Sequence, residues 1–286
     1  MPEILFTGRG ASGSWQIRGV QLGGALRGNV CPAPDVIPPC DIAVLVKRPP
    51  SGLVERLHAA GVPIVWDLVD AWPQPHGNDW DRAACLAWLR EQVETIRPAA
   101  LVAATEQMAR DCEEFGLPLI ALRHHARPKQ EINPVRKSVR RVGYEGSPSY
   151  LGPWRPDMER ACKARGWEFV VNPPQLADLD IVVALRHATG YAAREWKSGV
   201  KLANAQGSGT PCILNRAAGY TETASGGEKW ADTMGEMNEA LDALSSHKVR
   251  ASMACTLNRA APLLPAISSE YGAWLQQLPI VSRETS

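Results

Sequence analysis

No apolar run in the 286 residues approaches the about 20 that a membrane-spanning helix requires. The N-terminal "MPEILFTGRG" carries no basic segment ahead of a long apolar core, so no secretory signal is read there. A cytoplasmic protein is expected, in the host cytoplasm if the source is viral. The seven cysteines are scattered singly, without C-x-x-C spacing, which argues against both a zinc site and a disulfide framework. Charge is balanced at +1, so no whole-chain field favours nucleic acid or membrane. Phenylalanine is scarce, with 3 against 10 tryptophans. Tryptophan pairs a flat apolar face with one donor, which suits sugars and bases, although many such rings serve only as core.

What is present is an alternation of strands and helices. "EILFT", "DIAVLVK", "VPIVWDLVD", "AALVAAT" and "LPLIALR" read as strands separated by amphipathic helices. In "SWQIRGVQLGGAL" the spacing puts Trp15, Leu22, Ala25 and Leu26 on one helical face. The stretch "RHHARPKQEINPVRKSVRR" is basic and polar, and it reads as a connector. A second series follows. It contains the strands "RRVGYEGS", "WEFVV", "LDIVVALR" and "TPCILN", and helices over "WRPDMERACKARG", "REWKSGVKLANAQGSG" and "MGEMNEALDALSS". The last helix, "ISSEYGAWLQQL", aligns Ile267, Tyr271, Trp274 and Leu278, with Ser268 or Ser269 as cap. The fold class predicted is α/β, with two Rossmann-like parallel-sheet domains facing across a cleft. The expected boundaries are an N-terminal domain over 1–135, a C-terminal domain over 139–262, and a final helix over 263–286 crossing back to the first.

The opening "ILFTGRGASGSW" matches G-x-G-x-x-G at Gly8, Gly10 and Gly13. A dinucleotide site also needs an acid about twenty residues on, at the end of a second strand. Asp35 has the spacing, but "RGNVCPAPDVIPP" is proline-broken. An NAD(P) or FAD oxidoreductase is therefore kept as an alternative. Gly10, Ser12, Gly13 and Ser14 are instead expected to face a sugar or an acceptor.

In the second half, Arg194, Lys197, Lys201 and Asn204 fall at helical spacings and share one stripe. A glycine stop, a Thr-Pro strand start, and a glycine turn at Gly219 leading into Tyr220, Thr221 and Glu222 follow. Cations beside a helix N-terminus suit a diphosphate. For the basic stripe alone, a solvated helix face is the ordinary alternative.

"KLANAQGSGTPCILNRAAGYTE" resembles the C-terminal motif of GT-B-type nucleotide-sugar glycosyltransferases, K-L-x-x-A-x-x-x-G-x-P followed by a strand, a glycine turn and a Glu. Lys201, Leu202, Ala205, Gly209, Pro211, Gly219 and Glu222 match it, and the paired-domain architecture extends the likeness over most of the chain. The resemblance implies a nucleotide-sugar donor on the C-terminal domain and an acceptor mostly on the N-terminal one. Many retaining relatives carry a donor-ribose Glu where this chain has Asn204, which leaves nucleotide and stereochemistry open. The donor set is read as Gly146, Ser147, Arg186, Lys197, Lys201, Asn204, Gly219, Tyr220, Thr221 and Glu222.

Transfer requires stabilisation of the departing diphosphate, for which Arg186, Lys197 and Lys201 are candidates. An inverting course also needs a base for the acceptor hydroxyl. Asp70, then Asp67, are chosen at the end of "VPIVWDLVD", with His76 as a weaker third on the acceptor side. Each acid has the equal alternative of a helix cap or an ion pair. "DLD" at Asp178 to Asp180 opens a strand, and His124 and His125 are adjacent and point opposite ways on a strand. No cofactor and no required metal are expected. Arg123, Arg127, Lys129, Arg136, Lys137, Arg140 and Arg141 in the connector keep a DNA acceptor, carrying hydroxymethylated bases as in phage DNA modification, among the candidates. A non-catalytic nucleotide-sugar binder is the remaining alternative.

Overall fold

The computed structural model describes residues 2–74, 76–187 and 189–279. The chain forms two compact units, one of 1–124, 190–198 and 264–286, the other of 125–189 and 199–263.

The first unit holds a six-stranded sheet of β1 (Ile4–Gly8), β2 (Asn29–Val30), β3 (Ile42–Val46), β4 (Ile64–Asp67), β5 (Ala100–Ala103) and β6 (Leu119–Ala121). All pairs are parallel, in the order β2-β1-β3-β4-β5-β6. β1, β3, β4 and β5 are buried along their whole length, because helices cover both faces of a parallel sheet. One face packs Phe6, Val44, Val65 and Val102 against Trp15, Leu22 and Leu26, and against Ile267, Tyr271 and Leu275 of the final helix, Leu264–Gln276.

The helix after β1 differs from its expected form. Trp15–Gln21 is π-helical, and Leu22–Ala25 continues it as α-helix. The ring of Trp15 lies over Gly19, where a Cβ would come within 2.4 Å of it. The wider turn shifts the buried face to Trp15, Arg18, Leu22 and Leu26 and leaves Ala25 exposed. The last helix begins at Leu264, ahead of the expected cap, and the Ser268 hydroxyl instead donates to the Pro265 carbonyl within it.

The second unit holds β7 (Arg141–Tyr144), β8 (Glu168–Val171), β9 (Ile181–Ala184), β10 (Cys212–Leu214) and β11 (Lys229–Trp230), all parallel, in the order β11-β10-β9-β7-β8. Its core joins Val142, Tyr144, Ile181, Val183 and Ile213 to Met158, Leu202, Leu241 and Leu257. Asp180 starts β9, accepting the backbone N–H groups of Arg140 and Arg141, so the "DLD" acid ties strand starts together. Met234–Ser245 opens with a full capping box of Thr233 and Glu236. A further helix, His247–Arg259, follows it.

The expected continuous helix over "REWKSGVKLANAQGSG" is two helices, Tyr191–Glu195 and Val200–Ser208, assigned to different units. Asp111 explains the break. Its carboxylate accepts from Tyr191 Oη and Trp196 Nε1, both at 2.7 Å, and from Arg82. Thr105 Oγ1 donates to the Glu195 carbonyl at 2.7 Å, and Gly190 comes so near Asn78 that a Cβ would lie 2.0 Å from its carbonyl oxygen. Segment 190–198 is thereby fastened to the first unit, with Trp196 fully buried. The stripe joining Arg194 and Lys197 to Lys201 and Asn204 does not form.

Candidate functional site

In an open parallel sheet, ligands bind beyond the carboxyl ends of the strands, at the point where strand order reverses. In the second unit that point lies between β7 and β9, whose ends lead into Glu145-Gly146 and into Arg186.

Two cations sit at this edge, each on a tyrosine. The Lys201 ammonium hydrogen-bonds the Tyr144 hydroxyl and lies 3.8 Å from the ring centre. The Arg186 guanidinium lies 4.1 Å from the Tyr220 ring centre. Such placement holds each cation against an aromatic face. Burial pushes both phenols above their ordinary range, so they remain neutral. Asn215 pins the Arg186 backbone in both directions, accepting from its N–H at 2.9 Å and donating to its carbonyl at 3.1 Å.

The turn after β7 needs its glycine. Gly146 has φ +131°, and a Cβ there would stand 3.0 Å from Lys201 Nζ. Its N–H donates to Asn172 Oδ1 at 2.7 Å. Ser147 follows, its hydroxyl 2.8 Å from that of Ser149. Asn204, one turn beyond Lys201, donates through Nδ2 to Glu145 Oε2 at 3.0 Å. Gly199 admits close packing against Gly219: a Cβ on Gly199 would lie 2.1 Å from the Gly219 carbonyl oxygen. The Thr221 hydroxyl donates to the Ala218 carbonyl at 3.0 Å within the short helix Ala218–Thr223, so it is occupied locally; Glu222 is half-buried on the same helix.

Lys197 belongs to the other unit, the first. It lies 3.7 Å from Asp70 Oδ2 and 5.4 Å from the Trp72 ring centre. The fastening of 190–198 puts it there. Asp70 also meets Lys47 Nζ at 2.6 Å and accepts from Gln74 at 3.3 Å. Arg48 holds the neighbouring Ala71 and Trp72 carbonyls. The two candidate acids thus differ in kind. Asp70 is partly exposed within a cationic surround. Asp67 is fully buried, 3.7 Å from Arg18 Nε, and burial raises its carboxyl although Arg18 pulls the other way. His76 is exposed on the turn His76–Asp79.

Around the N-terminal fingerprint the geometry is not that of a dinucleotide turn. In that motif the third glycine permits close helix–strand packing. Here nothing lies within 4 Å of a Cβ on Gly13; Gly8 packs against the neighbouring strand, where a Cβ would stand 2.9 Å from the Val46 carbonyl oxygen, and the close approaches to Phe6 fall on Gly23 and Gly28, within 2.9 Å. The strand that should deliver the ribose acid is only Asn29–Val30, and Asp35 is exposed five residues beyond it. Ser12 Oγ accepts the Trp15 N–H at 3.1 Å, starting the helix. Gly10 keeps the turn's left-handed φ of +75°, and Ser14 makes no side-chain cap.

His124 and His125 do not pair. His124 Nδ1 is 3.2 Å from Arg18, and His125 Nδ1 contacts the Ala126 carbonyl. Among the described residues no group of three or more His, Cys, Asp or Glu is placed to hold a metal. In the connector, Arg127, Arg136 and Arg141 are paired with Glu145, Asp180 and Glu168, which reduces its net positive charge. No helix is long and apolar enough to cross a membrane among the described residues.

No family model matches the chain, and no curated protein matches its sequence. Its fold is nonetheless shared with solved structures. HepE of Anabaena in complex with UDP superposes with a TM-score of 0.70 at 12% identity, over 96% of this chain and 100% of that one. Sucrose-phosphate synthase of Thermosynechococcus elongatus gives 0.58 at 13%, over 97% and 99%. The lipopolysaccharide outer core galactosyltransferase WaaB, in its apo form, gives 0.58 at 10%, over 96% and 99%. The fold is therefore of the GT-B type, with two Rossmann-like parallel-sheet domains.

Proposed function

We propose that the chain is a glycosyltransferase that moves a hexosyl or pentosyl group from a nucleoside diphosphate sugar to an acceptor hydroxyl. The observation that carries this reading is the pair of tyrosine-seated cations, Lys201 and Arg186, at the reversal point of the second sheet. Cleaving the sugar–phosphate bond leaves growing negative charge on the diphosphate, and preorganised cations stabilise that charge as it develops. With two organic cations supplying it, the reaction needs no metal, and chelator-treated enzyme keeps its rate. Gly146 and Ser147 shape the turn beside Lys201, while Gly219, Tyr220, Thr221 and Glu222 line the Arg186 side. HepE, which superposes on this chain, was solved with UDP and with UDP-glucose, and UDP-sugars are the first donors to assay.

Asp70 is the acceptor-side carboxylate in this reading, because Asp67 is sealed in the core beside Arg18. Lys197 and Lys47 orient Asp70. Gly10, Ser12, Gly13, Ser14 and His76 belong to the acceptor or sugar side. The test is release of nucleoside diphosphate from a donor panel, with acceptors that include glycans, small hydroxyl compounds and hydroxymethylated DNA. Acceptor-dependent release supports the reading. Donor binding without release under every acceptor points to the non-catalytic binder.

A further inference from the structure

Resting on the donor reading above, we infer that Glu145 accepts the ribose hydroxyls of the donor nucleotide, making the chain specific for ribonucleoside over 2′-deoxyribonucleoside diphosphate sugars.

Glu145 follows β7, between Tyr144, which seats Lys201, and Gly146, whose φ of +131° fixes the turn. Its carboxylate is held at both oxygens. Oε1 pairs with Arg127, and Oε2 accepts from Asn204 Nδ2 at 3.0 Å. The amide of Asn204 has one orientation only. The Arg127 N–H donates to its Oδ1 at 2.9 Å, which leaves Nδ2 to face Glu145. Asn204 is buried in the helix Val200–Ser208, where Gln130 also donates to its backbone carbonyl at 3.2 Å. Asn204 is thus a positioning residue for Glu145.

An ionised carboxylate only accepts, at about four lone-pair positions. These two contacts leave roughly one acceptor position on each oxygen. The Glu145 side chain is 21% exposed, so these positions are reachable. A phosphate there is repelled, whereas two neighbouring hydroxyls each supply a donor. A cis-diol therefore fits the carboxylate, just as an anion fits Lys201, and Lys201 and Asn204 stand three residues apart on one helix face. A ribonucleoside diphosphate presents both groups in one molecule; a 2′-deoxy form lacks half of the diol. Acidic side chains hold ribose hydroxyls in Rossmann-like units generally. Here the acid comes from the strand turn, and the helix supplies the amide that holds it.

The experiment is calorimetric titration of the full chain with UDP, GDP, ADP and CDP, each paired with its 2′-deoxy form. The ribo form of whichever base binds is expected to be about ten- to a hundredfold tighter, the range of one hydrogen bond to a charged group. Glu145→Gln is expected to collapse that ratio to within a few-fold while inorganic pyrophosphate still competes. Equal binding of ribo and deoxy forms by the unmodified chain overturns the inference, needs no variant, and leaves the donor reading standing. A ratio undiminished in Glu145→Gln overturns it as well. If no nucleoside diphosphate binds in any form, the donor reading fails and the inference with it.

Discussion

The Lys201 ammonium stands 3.8 Å above the Tyr144 ring and hydrogen-bonds its hydroxyl, so a helix cation is fixed at the end of the first strand of its sheet. Lys201→Ala removes the charge. A nucleoside diphosphate is expected to bind about ten- to a hundredfold more weakly, the range of a hydrogen bond to a charged group. Tyr144→Phe keeps the ring face and loses only the hydroxyl contact, so its loss is less than tenfold. Calorimetry on both variants checks the order. A larger effect from Tyr144→Phe would contradict it.

Asp70→Asn separates chemistry from donor binding. Removing a proton acceptor typically lowers kcat by about 10²- to 10⁴-fold. Nucleoside diphosphate affinity is expected to stay the same, because Asp70 lies in the first unit with Lys47 and Lys197. Steady-state kinetics beside titration would show it; an unchanged kcat removes Asp70 from the mechanism.

Asp67 gives a pH signature. Burial raises its carboxyl in the folded chain, so the folded state holds this proton more tightly than the unfolded one. The proton's stabilising contribution is complete below the unfolded value of about 4 and is lost as pH rises through the folded value. Asp67→Asn lacks this loss. The melting-temperature difference between variant and wild type should therefore move in the variant's favour from about pH 4 upward. A flat difference would show that Arg18 fully offsets the burial.

Asp111→Ala should loosen segment 190–198. Buried donors on Trp196 and Tyr191 lose their acceptor, at a cost of about 2–4 kcal/mol. A lower melting temperature, together with faster amide exchange confined to 190–198, is expected. Uniform exchange across the chain would argue against a local fastening.

Strand alternation was readable because it follows from local periodicity and turn chemistry, and the K-L-x-x-A-x-x-x-G-x-P order because it resembles a known family's motif. The hidden features depend on contacts distant in sequence. Nothing local in "REWKSGVK" says that Trp196 and Tyr191 will turn to Asp111 about 80 residues earlier. Helical spacing therefore put Lys197 and Lys201 on one helix, where the chain forms two. Glu145 escaped notice because its partners, Asn204 and Arg127, are 59 and 18 residues away. The fingerprint at Gly8 to Gly13 misled for the opposite reason. Its pattern is local, but its meaning rests on which glycine meets the sheet, and Phe6 meets Gly23 and Gly28.

The most direct test of the donor assignment is thermal unfolding of the chain with nucleoside diphosphates on one side and NAD, NADP and FAD on the other. A ligand at a hundred times its Kd stabilises by about 2.7 kcal/mol. A rise with a nucleoside diphosphate, abolished in Lys201→Ala, and none with the dinucleotides is the predicted result. A rise with a dinucleotide alone would contradict the account and return the N-terminal glycine turn to a cofactor.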